Sequence, residues 1–310
     1  MRSISLLILS VWCGVVAGLL EVVTFVVRKR VFDADQLIRM TRHFVWIVPL
    51  ANVAVFLPLG LLGCGIAFIW PRHGRWLLAR VLGALVLLPS LLVAFPRIYG
   101  LAWFVAALGI ASRLVPLVER RSRGFRRFVL VSFPAAIALV AGLGGSIWVS
   151  DRFKEWRENG RPLPPPGSPN VLLIVMDTVA AGHLSLYGHD RPTTTTLVEL
   201  AGRGIRFDAA RSTSSWTLPS HASMFTGRWF HELAVGMLTP LGRTPPTLAE
   251  YLGQRGYATA GFIANTGYCA RGSGLSRGFT EYHDYIFPEL TALKAAVIVS
   301  RLVQGMRAFV

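Results

Sequence analysis

Two side chains stand out by their type and by the pattern around them. Asp177 closes the run "NVLLIVMD", residues 170–177, where β-branched and aliphatic residues follow one another without alternation, as in a strand buried on both faces. A carboxylate at the carboxyl end of such a strand lies where open α/β sheets bind ligands. Further on, "SWTLPSHASMFTG", residues 215–227, reads as a short helix. Pro219 suits its first turn, where the missing N–H costs nothing, and Thr226-Gly227 reads as its stop. Thr217 or Leu218 then takes the cap position, where unpaired backbone N–H groups and about half a positive elementary charge favour an anion. Small residues at Ser220, Ala222 and Ser223 let a ligand or a neighbouring strand come close. The same threonine would serve as an ordinary N-cap, so this segment alone leaves both readings open.

The elements that must position these groups follow from composition. The chain has 310 residues, 53% hydrophobic and 15% charged, with mean hydropathy +0.51, too apolar for a soluble domain of average usage. Five apolar stretches, residues 4–27, 44–70, 77–95, 99–118 and 128–149, are long enough for a hydrocarbon core that takes about 20 residues per helix. Residues 1–150 therefore read as a five-helix transmembrane region. The net charge of +16 comes mostly from that half, where basic residues act as a topology signal rather than a nucleic-acid footprint. The densest cluster, residues 119–127, lies between the fourth and fifth spans and is expected on the cytoplasmic side. Five crossings then put everything after Asp151 outside, in an inner-membrane, multi-pass protein. The basic residues Arg28, Lys29, Arg30, Arg39 and Arg42 dissent, because they would face out. Glu21, near the end of the first span, is expected to face a bundle neighbour or the headgroups. Cys13, Cys64 and Cys269 provide no disulfide framework for the outer part.

Residues 151–168 read as a linker with a charged, helical start and an extended Pro-rich end. Residues 169–310 read as an α/β domain with a parallel sheet. Its expected strands are residues 170–177, 204–207 and 257–264, alternating with helices over 196–201 and 247–254. Residues 291–310 read as an amphipathic helix.

The stretch from "PNVLLIVMDT" through "SWTLPSHASMFTG", followed by "PTLAEYLGQRGYATAGFIANTGY" and "GLSRGFTEYHDY", resembles the amino-terminal part of the sulfatase family, within the alkaline-phosphatase-like superfamily. Five spans before such a domain also look like the layout of lipoteichoic acid synthases and phosphoethanolamine transferases. The resemblance implies a metal-binding carboxylate at Asp177 and a nucleophile at Thr217, which would also touch the metal. It puts His221 where the family has an arginine, and it leaves Ser220, Asn265 and His231 as substrate-binding candidates. The cofactor it implies is a divalent ion: Ca, Mg, Mn or Zn.

This sequence departs from the family at several points. Usual sulfatases carry Cys or Ser, oxidised to formylglycine, where Thr217 stands, so a hydroxyl would have to act directly. The later polar positions after Asp-Thr are Ala180 and Gly182, and no Asp-His-Gly occurs in the 310 residues. The domain is accordingly expected to be shortened. Asp190, Asp208, Glu232, His183 and His189 read as loop groups.

The expected function is a membrane-anchored hydrolase or transferase acting outside the cytoplasm on a sulfate or phosphate ester, of a lipid or glycan, with membrane lipids as neighbours and no nucleic acid. The alternative is a non-catalytic sulfatase-like membrane protein, and a third reading is a lipid-binding or transport bundle.

Overall fold

A computed structural model describes residues 3–32, 42–70 and 73–284. The chain divides into two compact units, one ending at Arg157 and one spanning Glu158–Asp284. The amphipathic helix expected over residues 291–310 lies outside the described residues.

The first unit is built from α1 (Ser3–Val31), α2 (Phe44–Ile69), α3 (His73–Ala94), α4 (Gly100–Arg120) and α5 (Ser122–Asn159). By length and composition these five helices are long and apolar enough to cross a membrane. In lipid, helices gain nothing from hiding apolar surface, so close backbone approach between small residues holds them together. α1 meets α2 this way: a Cβ on Gly18 would lie 2.3 Å from the Pro49 Cα. In the same interface Glu21 is 4% exposed and accepts a 2.8 Å hydrogen bond from Asn52 Nδ2, so this carboxylate faces a bundle neighbour. The basic cluster expected between the fourth and fifth spans is mostly helical, with only Arg121 interrupting α4 and α5. Arg42 pairs with Asp151, which puts the start of α2 at the same end of the bundle as the exit of the fifth apolar span.

The second unit holds α6 (Thr195–Ala201), α7 (Thr217–Thr226), α8 (Leu248–Gly253), β1 (Ala260–Phe262), α9 (Thr266–Cys269) and β2 (Glu281–His283). β1 and β2 pair in parallel, with Ala260 opposite Glu281 and Phe262 opposite His283. α8 begins with a capping box: Thr247 Oγ1 accepts from the Glu250 N–H at 3.2 Å and Glu250 Oε2 accepts from the Thr247 N–H at 2.8 Å. The Thr247 hydroxyl also donates to the Arg277 carbonyl at 2.9 Å, tying α8 to the segment that leads into β2. The Pro-rich stretch is not a free spacer at its start, because Arg161 donates to the carbonyls of Gly253 and Tyr257.

The strand content departs from expectation. Residues 170–176 are not in a strand, and they are open to solvent, Leu172 at 83% and Ile174 at 74% exposed. Residues 204–207 likewise form no strand, and Ile205 and Phe207 are exposed. The region expected as a strand over 257–264 is reduced to three residues with alternating burial. An apolar run states only that a segment gains from being covered. A strand also requires a neighbour to take its N–H and C=O groups, and the described sheet has two strands, neither of them these. β2, by contrast, had no clear sequence signal.

Gly278 has φ +81°, and a Cβ there would lie 2.2 Å from the Glu250 nitrogen. Gly278→Ala is therefore expected to cost the second unit on the order of 1–3 kcal/mol through left-handed strain and displacement of α8. A thermal melt of the full chain checks this, and an unchanged midpoint would contradict the close approach.

Candidate active site

α7 forms for reasons local to its sequence. Pro219 sits in the first turn, Leu218 and Ala222 are fully buried beneath the helix, and Gly227 ends it in the left-handed conformation with its N–H on the Ser223 carbonyl. The residue in the cap position is Trp216, with extended backbone and no side-chain cap, so Thr217 is the first helical residue rather than the cap. Its hydroxyl is thereby released from capping duty and turns to Asp177.

Asp177 stands at a sharp corner. Thr178, the next residue, has φ +63°, a left-handed conformation that is an outlier for a β-branched side chain, and its hydroxyl closes onto the Asp177 carbonyl at 2.7 Å. The corner points the carboxylate at the start of α7. Thr217 Oγ1 lies 3.2 Å from Asp177 Oδ2 and 3.4 Å from Oδ1. Asn265 Nδ2 donates to the same Oδ2 at 2.5 Å. Carboxylate, hydroxyl and amide thus converge from three distant parts of the chain, beside a helix end whose partial positive charge favours the anion.

His221 is one turn along α7, and its Nδ1 is 2.8 Å from the Thr217 carbonyl. A carbonyl only accepts, so Nδ1 carries the proton there and Nε2 is the ring nitrogen left for other partners. Ser220 Oγ lies 2.8 Å from Ser212 Oγ and lines a cavity along the flank of α7. His231 is exposed and stacks on Trp229. The structure therefore gathers Asp177, Thr217 and Asn265, keeps His221 adjacent on the same helix, and sets Ser220 and His231 around the α7 flank. Of the loop groups, Asp208 pairs with Arg206 at 2.7 Å, Glu232 accepts from the Trp229 N–H at 2.9 Å, and the rings of His183 and His189 pack edge to face.

Sequence reasoning missed Cys269 as a neighbour of this site. It is 3% exposed, and its N–H bonds to the Asn265 carbonyl at 2.9 Å. Burial, with the Asp177 charge adding to it, pushes the thiol up to about 12. The spacing of four between Asn265 and Cys269 could have signalled a shared helical turn. The positive φ of Thr178 had no signal at all.

Among the described residues, no group of three or more His, Cys, Asp or Glu side chains is placed to hold a metal ion. Asp177 and Thr217 offer at most three oxygens, whereas hard divalent cations such as Ca²⁺ and Mg²⁺ take six or more. The described residues do not by themselves make a complete cation site.

Residues 169–290 match the Sulfatase family model. Relatives include human (Homo sapiens) arylsulfatase A, 38% identical over 98 residues that make up 29% of this chain and 19% of that protein. An N-acetylgalactosamine-6-O-sulfatase of Bacteroides thetaiotaomicron is 30% identical over 131 residues, 40% of this chain and 25% of the relative. A Mus musculus steryl-sulfatase is 34% identical over 109 residues, 31% and 18% of the two. The chain thus spans a quarter or less of the length of these relatives. No solved structure matches it.

The Cys269 environment generates a pH prediction. The folded thiol titrates near 12 against an ordinary 9.0, so between those values the folded state binds more protons than the unfolded one. Stability is then present in full below about pH 9 and falls as pH rises toward 12. Melting curves at pH 8 and pH 10.5 are expected to show that loss in the wild type and a smaller one in Cys269→Ala. Equal losses would place the thiol outside the linkage.

Proposed function

We propose, from the match of residues 169–290 to the Sulfatase family model, that the second unit is the ester-hydrolysing part of a membrane-anchored enzyme, with Thr217 as nucleophile and Asp177 as its base. The observation that carries this reading is the 3.2 Å approach of Thr217 Oγ1 to Asp177 Oδ2 at the amino terminus of α7. The five apolar helices support membrane anchoring, and the basic residues 119–127 favour an outer location for this unit by the positive-inside rule.

The chemistry follows from the atoms in place. Thr217 Oγ gives its proton to Asp177 and attacks the sulfur of a sulfate monoester in line. The sulfur–threonine oxygen bond forms as the ester S–O bond breaks, and the departing oxygen, on the far side of the sulfur from Asp177, takes a proton from water to leave as an alcohol. Water then attacks the sulfothreonine from the side the alcohol has vacated and gives its proton to the hydroxide left there. Sulfate departs, and the Thr217 oxygen regains its proton from Asp177. Asn265 orients the carboxylate, and the backbone N–H groups at the start of α7 favour the charge on the non-bridging oxygens. His221, fixed through Nδ1, presents Nε2 as an acceptor for a hydroxyl of the substrate.

Asp177 and an incoming sulfate repel each other, and a divalent cation between them would remove that repulsion and polarise the ester. Asp177 and Thr217 are the side chains that would contribute to it. The described residues supply too few oxygens to hold it alone, so the proton transfers above rest on Asp177 and water.

Hydrolysis of p-nitrophenyl sulfate by the detergent-solubilised full chain, with Ca²⁺ or Mg²⁺ supplied, tests the assignment. Thr217→Ala is expected to abolish turnover, Asp177→Asn to lower it by about 10²–10⁴-fold, and Thr217→Ser to keep a measurable rate. Unchanged turnover in Thr217→Ala would remove the nucleophile. Activity on p-nitrophenyl phosphate alone would move the substrate class to phosphate esters.

A further inference from the structure

A cavity of about 430 Å³ runs along the flank of α7, within the range of about 300–1,000 Å³ that suits small-molecule ligands. Ser220, Ser223 and Met224 of α7 and Gly227 just after it line one wall, at the spacing that puts them on one helix face. The segment before the helix contributes Arg211 and Thr213, and the segment after it contributes Arg228 and Trp229. No acidic side chain lines the cavity. Arg211 and Arg228 are exposed, and among the described residues neither forms an ion pair. Two hydroxyl oxygens on the lining have no partner although both are buried: Ser223 Oγ, on a residue 5% exposed, and Thr213 Oγ1. A buried hydroxyl left unpaired is a cost that a bound acceptor would offset.

Cationic forks without carboxylates, set beside hydroxyl donors without acceptors, lack one chemical partner: a polyvalent oxyanion, which accepts from guanidinium and hydroxyl alike. We propose that this cavity binds a sulfate-type oxyanion, and that it receives a second anionic group of an ester whose reacting group lies at Thr217. The second clause rests on the function proposed above, while the binding itself does not. Thr217 shares a helix face with Ser220 and Met224 of the cavity wall at i+3 and i+7, and Ser223 stands six positions beyond it, about 9 Å along the axis at 1.5 Å per residue. That span corresponds to two substituents on neighbouring parts of one sugar or aryl framework. The substrate class is therefore a multiply sulfated ester.

Inorganic sulfate titrated into the full chain in detergent at low salt, followed by calorimetry, tests the site. Saturable binding is expected in the wild type and in Thr217→Ala. The double variant Arg211→Gln/Arg228→Gln is expected to bind at least about tenfold more weakly, with an unchanged melting temperature. Ser223→Ala, which removes one buried oxygen and no charge, is expected to weaken binding by a smaller factor, and it decides the matter if the double variant fails to fold. Absence of saturable binding in the wild type, undiminished binding in the folded double variant, or loss of binding in Thr217→Ala would each overturn the site. Kinetics separate the two clauses: the double variant should raise KM for a disulfated aryl ester and leave KM for the monosulfated one unchanged. Equal effects on both esters would overturn the substrate role. If no ester is hydrolysed at all, the function reading fails while the sulfate titration still decides the cavity.

Discussion

The arrangement of the second unit depends on one carboxylate with two donors. Asp177 Oδ2 takes the Thr217 hydroxyl and the Asn265 amide together, across separations of 40 and 88 residues. A partly buried carboxylate is tolerated only where hydrogen bonds or charge replace the water it has lost. Meeting that need joins the corner at Thr178, the start of α7 and the start of α9 at one point. The same contact keeps the threonine oxygen out of capping and on the carboxylate.

α7 is the shared part. Its buried face, Leu218 and Ala222, sets its position, its amino terminus faces the carboxylate, and its flank forms the wall of a cavity with two arginines. A rigid ten-residue helix fixes the separation between those two places. The electrostatics of the two places differ: Asp177 repels an anion, whereas Arg211 and Arg228 on the flank attract one. Binding strength drawn from the flank can offset that repulsion, which is how remote groups of a substrate contribute to chemistry at another.

The first unit follows other rules. Its α1–α2 contact sets Gly18 against Pro49, adds the Glu21–Asn52 hydrogen bond and buries Ala17 and Phe56 in one apolar cluster. Much of its leucine, valine and tryptophan is outward-facing, on helices that are long and apolar enough to cross a membrane.

The sequence by itself determined the five apolar helices, because a long apolar run needs no partner to satisfy its backbone once it is helical. It also determined α6, α7 and α8, whose end signals are local, Gly202 and Gly227 after α6 and α7 and the Thr247–Glu250 capping box of α8, and it marked out Asp177 and Thr217 by their types and flanking patterns. Only the tertiary structure decided that these two meet and that Asn265 joins them. It also moved Thr217 off the cap and placed Cys269 beside the carboxylate. The same holds for the strands: residues 170–176 carry the pattern of a covered strand, yet pairing and cover come from other parts of the chain. The division has a single cause. Helices and caps close their hydrogen bonds within a few residues, whereas strands and converging side chains are completed by partners that the local sequence does not contain.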